Sequence, residues 1–166
     1  MIYLRKAKEQ DLDIIRDLAH RTWWDTYGGY LSDEQIRYML EKMYNRGELL
    51  GQLQQGYVFL IAAEQEQDLG FAAYSIVDSD QRIFKLHKLY VLPEAHGKGI
   101  GKLLMNEVAD LVKKAGATAL QLNVNRNNKA AGFYLKSGFV IKDTIDLDIG
   151  GGFFMNDYVM EKPIVS

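Results

Sequence analysis

The sequence contains no cysteine, and this absence removes several kinds of site at once. Disulfides, thiolate metal sites and a cysteine nucleophile all need a residue that the chain lacks. Its three scattered histidines form no ligand cluster, so the sequence predicts no metal site. A cysteine-free chain suits a reducing compartment, and we therefore expect a cytoplasmic protein.

Long apolar runs and a surplus of basic residues are also missing. No apolar run approaches the ~20 residues that a membrane-spanning helix needs. The N-terminal segment lacks the apolar core of a signal peptide. Nucleic-acid binders usually carry excess Lys and Arg, whereas the net charge here is −2. We therefore expect neither a membrane nor a nucleic-acid partner, although a local basic patch around Lys85, Lys88, Lys98 and Lys102 stays open.

Proline is scarce, since Pro93 and Pro163 are the only two in the 166 residues. No Pro-, Gly- or Ser-rich stretch divides the chain, so the sequence shows no linker. The length is that of one ordinary domain, and 48% hydrophobic residues can build a full core. We expect one domain over residues 1–166, and a homodimer is compatible with the sequence.

Strand and helix patterns alternate along the chain. The predicted strands are Ile2–Arg5, Tyr57–Ala63, Gly70–Val77, Phe84–Leu92, Leu120–Val124, Phe139–Leu147 and Phe153–Met160. The predicted helices run from an Asp11 cap to Gly28, from a Ser32 cap through Met43, from Ile100 to a Gly116 cap, and over Asn127–Ser137. The order β-α-α-β-β-β-α-β-α-β-β predicts an α/β domain with a mixed sheet of about seven strands, in which the second and third strands form an antiparallel hairpin.

A glycine-rich segment, His96-Gly-Lys-Gly-Ile-Gly101, follows the fourth predicted strand and opens the third predicted helix. Glycines allow backbone N–H groups to converge on a ligand, and a helix N-terminus adds unpaired donors and a positive dipole end. The segment predicts an anion site suited to a pyrophosphate, with a tight turn that binds nothing as the alternative. Its spacing fits neither a Walker loop nor a dinucleotide-binding fingerprint.

Two motifs resemble those of the GNAT acetyltransferases. Leu89-Tyr-Val-Leu-Pro and the glycine-rich segment after it are similar to the family's strand and its (Gln/Arg)-x-x-Gly-x-(Gly/Ala) loop. Asn127-Asn-Lys-Ala-Ala-Gly-Phe-Tyr-Leu-Lys-Ser-Gly-Phe139 is similar to the family's second motif. The element order matches too, so the resemblance covers essentially the whole chain and implies a GNAT-type fold. His96 stands where Gln or Arg is usual, and we expect that position to act chiefly through its backbone amide.

The resemblance implies an N-acetyltransferase that moves an acetyl group from acetyl-CoA directly to a primary amine in a ternary complex. The amides of the glycine-rich segment would bind the pyrophosphate of this cosubstrate. The backbone of the fourth strand would hydrogen-bond the pantetheine arm like an added strand. The residues expected to bind the cosubstrate are Leu89, Tyr90, Val91, His96, Gly97, Lys98, Gly99, Ile100, Gly101, Lys102, Asn127, Ala130 and Tyr134.

Two residues are candidates for catalysis. By the resemblance, Tyr134 would be the proton donor to the departing thiolate, because a phenol is protonated at neutral pH. From spacing alone, an aromatic residue packed between helix and sheet is the alternative. His87 on the fourth strand has an ordinary pKa range that suits a base for the incoming amine. A structural histidine and a relay of water molecules are the alternatives there.

The acceptor side is expected in the first two helices and the last hairpin, as the resemblance implies. Trp24, Tyr27 and Tyr30 are candidate substrate-binding residues because aromatic faces attract cationic amines. Packing into the core is the alternative for this aromatic group. The segments Arg21–Tyr27 and Leu31–Met39 are similar to bacterial spermidine/spermine N-acetyltransferases, which implies a polyamine or similar small amine. A protein N-terminus, a lysine side chain, an aminoglycoside and a non-catalytic acyl-CoA-binding module stay open as alternatives.

Overall fold

The computed structural model describes residues 1–165 and contains seven strands and five α-helices. The strands are β1 (Ile2–Lys6), β2 (Val58–Glu64), β3 (Gln67–Asp78), β4 (Ile83–Val91), β5 (Ala119–Asn125), β6 (Val140–Gly150) and β7 (Phe153–Pro163). The helices are α1 (Leu12–Tyr27), α2 (Asp33–Tyr44), α3 (Arg46–Gln54), α4 (Ile100–Lys114) and α5 (Ala130–Lys136). Two short 3-10 helices cover Glu9–Asp11 and Pro93–Ala95.

The strands form one mixed sheet in the order β1-β2-β3-β4-β5-β7-β6. β2 and β3 pair antiparallel, which confirms the predicted hairpin. β4 and β5 pair in parallel through Ile83–Leu86 and Ala119–Leu122. β7 lies between β5 and β6 and pairs antiparallel with both. The α/β class and the mixed seven-stranded sheet expected from the sequence are therefore confirmed.

The chain divides into two compact units. Unit 1 comprises Met1–Ser75 and His87–Val108, and unit 2 comprises residues 76–86 together with the chain from Ala109 onward. β3 and β4 each contribute residues to both units. The expectation of one domain over residues 1–166 stays a prediction.

An aromatic cluster occupies the core of unit 1. The α1 side chains Leu12, Ile15, Leu18 and Ala19 are almost fully buried, as their helical spacing predicts. On the same helix the Trp23 ring lies 4.7 Å from Tyr27, 5.5 Å from Tyr44 and 5.7 Å from Tyr90, centroid to centroid. These rings join α1 and α2 to the part of β4 that belongs to unit 1.

The core of unit 2 is built on alternate residues of β5. Leu120 and Leu122 are nearly inaccessible, and Met160 on β7 is fully buried opposite Leu122. The amide residues of β5, Gln121, Asn123 and Asn125, alternate with Leu120, Leu122 and Val124. Because alternate strand residues point to opposite faces of a sheet, β5 has an apolar face and an amide face.

The predicted element order was wrong in one place, because it omitted α3. This helix contains Gly47 and Gly51 and buries Leu49 alone, so no helical period of apolar residues marks it. Its start is nevertheless capped: the Asn45 Oδ1 accepts a hydrogen bond from the Glu48 N–H at 2.8 Å.

Two further details of the helices differ from the prediction. The Asp11 side chain does not cap α1 but accepts from the Lys8 N–H at 2.8 Å, within the preceding turn. α5 begins at Ala130 rather than Asn127. The Asn125 side chain accepts from the Asn127 N–H and the Asn128 side chain from the Ala130 N–H, and such bonds hold a chain in turns. The Ser32 cap is confirmed, since its Oγ accepts from the Gln35 N–H at 3.1 Å.

Candidate functional site

The glycine loop (His96–Gly101) lies in unit 1, between the end of β4 and the start of α4 at Ile100. Gly97 and Gly99 have φ angles of +87° and +76°, which only glycine adopts without strain. A Cβ on either residue would meet no atom within 4 Å, so the space over the loop is open. The first N–H groups of an α-helix lack partners within the helix. This loop therefore fits a diphosphate group.

Side chains brace the loop on both sides. The His96 ring donates from Nε2 to the Val91 carbonyl at 3.0 Å, and the His96 N–H donates to the Pro93 carbonyl at 3.1 Å. That amide closes the turn, which differs from its expected role as a ligand donor. The Lys98 ammonium donates to Glu64 at 2.9 Å and holds the pKa of that carboxyl below its usual range. Both contacts set the path of the chain into α4.

The last residues of β4, Leu89–Val91, lie beyond the stretch of β4 that pairs with β5. On the β3 side the backbone approaches very closely. A Cβ on Gly70 would lie 2.7 Å from the Tyr90 carbonyl oxygen and 3.2 Å from the Val91 Cα. The Leu92 N–H also donates to the Leu69 carbonyl at 2.8 Å. Gly70 therefore permits the strand contact that positions the predicted pantetheine-binding segment.

His87 is held by two hydroxyl groups. Its Nε2 lies 2.7 Å from the Ser75 Oγ, and its Nδ1 lies 3.4 Å from the Tyr57 hydroxyl. The imidazole also stacks on the Tyr57 ring, with 4.2 Å between centroids and 12° between planes. Burial raises the pKa of Tyr57, and the nearby Glu48 carboxylate raises it further. The ring orientation of His87 is thus well defined, and its role as a base stays a prediction.

The three predicted substrate-binding aromatics do not all share one environment. Tyr27 is buried, and its hydroxyl lies 2.8 Å from that of Tyr90. The Tyr30 ring packs edge-on to Tyr27 at 5.9 Å. The Trp24 ring is 38% exposed and instead faces the Arg37 guanidinium at 5.5 Å. Tyr27 thus packs into the core, which was the alternative to substrate binding for this aromatic group.

Lys88 is a buried cation whose importance the sequence did not indicate. Its side chain is 8% exposed, and its Nζ lies 4.4 Å from the centre of the Tyr44 ring. Among residues 1–165 no carboxylate lies within ion-pair distance of it. Burial lowers the pKa of Lys88 to about 8, against the opposing attraction of Glu48. The local basic patch left open by the sequence therefore does not include an exposed Lys88.

In unit 2 the second motif places Tyr134 in a nest of aromatic rings. The Tyr134 ring packs edge-on to Phe133 at 5.3 Å and to Phe139 at 5.6 Å. The residue is 7% exposed, and burial raises the pKa of its phenol far above the usual value. The phenol therefore stays neutral at physiological pH and can act as a hydrogen-bond donor. Asn127, the first residue of the motif, is exposed.

Asp157 on β7 is the second ionisable group that sequence reasoning missed. It is 5% exposed, and its Oδ1 has no hydrogen-bond partner in the part of the chain that the structure describes. Burial raises the pKa of this carboxyl, while a hydrogen bond from Asn123 and the charges of Lys85 and Arg126 oppose the rise. The sequence signal was weak, because β7 carries two acids, Asp157 and Glu161, and nothing in the sequence marks Asp157 as the buried one.

Two other kinds of site are absent from residues 1–165. No group of three or more His, Asp or Glu side chains is arranged to hold a metal ion there. No helix over the same residues is long and apolar enough to cross a membrane.

With this geometry in hand, the chain was compared with known proteins. The model of the acetyltransferase (GNAT) domain matches residues 55–141, about half of the chain. A spermidine N(1)-acetyltransferase of Thermoplasma acidophilum is 30% identical over 167 residues, covering 97% of this chain and 96% of the relative. The matched domain contains β4, the glycine loop and Tyr134.

Solved structures show the same fold. The crystal structure of the PaiA N-acetyltransferase from Thermoplasma acidophilum, in complex with coenzyme A, has a TM-score of 0.84 at 31% identity and covers 98% of this chain and 99% of its own. A GCN5-related N-acetyltransferase from Rhodopseudomonas palustris has a TM-score of 0.82 at 23% identity, with 97% and 94% covered, and shows the fold alone. Since a family model and a nearly full-length relative agree, the chain belongs to the GNAT acetyltransferases and is an acetyl-CoA-dependent N-acetyltransferase.

Proposed function

We propose that this enzyme acetylates a small primary amine and that a polyamine such as spermidine is its acceptor. The binding of acetyl-CoA is supported by the glycine loop, in which Gly97 and Gly99 leave open space at the N-terminus of α4. The polyamine is supported by the relative named for spermidine, which aligns with nearly the whole chain. The cytoplasmic location and the homodimer stay predictions of the sequence.

For the donor, the loop amides from Gly97 to Gly101 hold the pyrophosphate. Lys102 adds positive charge beside them, whereas the charge of Lys98 is shared with Glu64. The backbone of Leu89–Val91, which lies beyond the stretch of β4 paired with β5, bonds the pantetheine arm in the manner of an added strand. Asn127 and Ala130 of the second motif complete the cosubstrate site. Acetyl-CoA supplies an acetyl group already activated as a thioester.

For catalysis, Tyr134 is the proton donor to the sulfur. Its burial favours the neutral phenol, so the proton is present at the pH of the reaction. His87 is the base for the acceptor amine, and Ser75 and Tyr57 hold its ring in place. An amine of ordinary pKa ~10 arrives mainly as an ammonium ion and needs such a group to lose its proton.

On the acceptor side, Trp24, Tyr27 and Tyr30 offer aromatic faces to a cationic chain. Trp24 contributes through a face that already binds the Arg37 guanidinium, whereas the buried Tyr27 packs against Tyr30. That existing cation–π contact supports the use of Trp24 for a cation.

The test is CoA release by the purified protein with a panel of amines. We expect kcat/KM for spermidine and spermine to exceed that for an N-terminal peptide, a lysine peptide and an aminoglycoside by at least ~10-fold, equivalent to about 1.4 kcal/mol. Calorimetry with acetyl-CoA runs alongside and reports donor binding separately. Faster acetylation of a peptide or an aminoglycoside would contradict the polyamine proposal while leaving the acetyltransferase assignment intact.

A further inference from the structure

The buried Asp157 has no role in the chemistry assigned so far, and its surroundings leave it incompletely satisfied. Its neighbours across the strands are Asn125 on β5 and Ile145 on β6. An ionised carboxylate has about four acceptor sites, and burying it without donors is costly. Asn123 provides one hydrogen bond, and the Oδ1 receives none from residues 1–165.

Nearby cations do not complete the site. The Arg126 guanidinium is bound to Asp146, which neutralises it locally. Lys85 on β4 is attracted to Asp157, yet none of the ion pairs within the described part of the chain joins the two. Its own burial lowers the pKa of Lys85. A full countercharge for Asp157 is therefore not supplied by these two residues.

The face of the sheet that carries Asp157 is mainly polar where β5 meets β7, with one apolar residue, Val159, across from Asn123. On β5 it presents Gln121, Asn123 and Asn125, and directly across on β7 lie Glu161 and Asp157. The Gln121 amide donates to Glu161 at 2.9 Å, so the Glu161 carboxylate at one end of this face has a hydrogen-bond partner within the protein. The Asp157 end keeps a carboxylate oxygen without a donor, flanked by amide side chains that suit a polar ligand.

We propose that Asp157 binds the ammonium group of the acceptor, with its Oδ1 accepting an N–H hydrogen bond from the incoming amine. This inference rests on the proposed function and names the residue that reads the acceptor's charge. A primary ammonium supplies both missing components, a donor and a positive charge, in a bond that is stronger than one between neutral groups. An acceptor with a carboxylate next to its amine is disfavoured, because two like charges would meet in a buried site.

The direct test is Asp157→Asn, which keeps the shape of the side chain and removes its charge. We expect KM for the best amine acceptor to rise about 10- to 100-fold, the loss of one charge-assisted hydrogen bond. Affinity for acetyl-CoA, measured by calorimetry, should change less than about 2-fold. The matched control is Asp110→Asn, an exposed acid on α4 of the same unit, which should leave KM unchanged.

Thermal unfolding separates this role from a structural one. Removing a buried and partly unpaired charge is often neutral or stabilising, so we expect the Tm of Asp157→Asn to equal or exceed that of the wild type. A large fall in Tm with KM unchanged would overturn the inference and make Asp157 a structural residue.

A second measurement follows the carboxyl itself, by carbon NMR of labelled aspartate. We expect saturating spermidine with CoA to lower the pKa of Asp157, because a bound cation favours the charged form. The charged groups that act on this residue within the protein are Lys85 and Arg126, and their charges are common to both states. An unchanged pKa would contradict the inference.

The outcomes distinguish this inference from the proposed function. A wild type that acetylates amines, with Asp157→Asn indistinguishable from it, removes the inference alone. If the best acceptor is not a polyamine and Asp157→Asn still impairs its acetylation, the role of Asp157 stands and the polyamine proposal is wrong. If no amine is acetylated and none changes the pKa of Asp157, both are wrong.

Discussion

The glycine loop and the two buried ionisable residues show two different ways of building a site. The loop works through its main chain: the positive φ angles of Gly97 and Gly99 and the start of α4 are local properties of six consecutive residues. Lys88 and Asp157 instead carry side-chain charges in a buried environment that other strands and helices create. A main-chain site is therefore visible in the sequence, whereas a site made by burial is not.

Gly70 sharpens this contrast within unit 1. It lies in a strand without any motif, yet a Cβ there would collide with the Tyr90 carbonyl oxygen. The loop glycines, in contrast, have nothing within 4 Å of a Cβ. Glycine is needed in the loop for conformation and for the space a ligand requires, and in β3 for the approach of a neighbouring strand.

The largest effect should follow from Gly99→Glu. A side chain at this φ is strained and would place a carboxylate in the open space where we propose that the diphosphate binds. We expect acetyl-CoA affinity, measured by calorimetry, to fall at least ~1000-fold, because several charge-assisted hydrogen bonds are lost together. Gly56→Glu is the matched control, since Gly56 has a φ of +101° and open space but lies outside the loop. Equal losses in both variants would mean that strain alone explains the effect.

The next effect concerns Tyr134, where the motif rather than the environment suggests chemistry. We expect Tyr134→Phe to lower kcat about 100-fold, the usual contribution of a positioned proton donor, with acetyl-CoA affinity nearly unchanged. Steady-state CoA release and calorimetry measure the two quantities. Tyr74→Phe removes another buried phenol whose pKa is raised by burial and should leave kcat near the wild-type value. A normal kcat in Tyr134→Phe would return this residue to a packing role.

A smaller effect should appear in the pH dependence of stability through Lys88. Its pKa of about 8 in the folded state lies below the ordinary 10.5 of the unfolded chain. Below pH 8 both states carry the proton, and the folded state bears the whole cost of the buried charge. Between pH 8 and 10.5 only the unfolded state stays protonated, so the free energy of unfolding of the wild type rises with pH through this residue.

The variant Lys88→Met lacks this rise. Its advantage in stability over the wild type should therefore narrow by about 2 to 3 kcal/mol between pH 7 and pH 10, as urea unfolding at the two pH values will show. Lys113→Met, an exposed lysine at the end of α4, should give a difference that does not depend on pH. If the difference in the free energy of unfolding between Lys88→Met and the wild type does not change with pH, Lys88 is solvated.

The smallest effects on stability should come from two helix caps: Ser32, which the sequence predicted, and Asn45, which it did not. Ser32→Ala and Asn45→Ala should each lower the free energy of unfolding by about 1 kcal/mol. The loss of stability should be at least as large for Asn45→Ala as for Ser32→Ala, because the Asn45 Nδ2 also donates to the Glu41 carbonyl at 2.9 Å. Denaturant unfolding measures both. A negligible effect at Asn45 would mean that α3 contributes little to the stability of unit 1.

Local signals in the sequence were enough to predict the seven strands, four of the five α-helices and the glycine loop of residues 1–165. Apolar residues at helical spacing identify α1, alternating residues identify the strands, and glycines at alternate positions identify the loop, because each signal is a local constraint on the backbone. α3 escaped prediction because its glycines and its single buried leucine leave no period to detect.

The tertiary structure alone decided which charged and polar side chains are buried. Lys88 and Asp157 look like other charged residues in the sequence, and His87 shows no sign of its contacts with Ser75 and Tyr57. Burial, and with it the pKa of each group, depends on strands and helices far away along the chain. The physical reason is that desolvation is a property of the assembled interior, whereas backbone conformation is set largely by neighbouring residues.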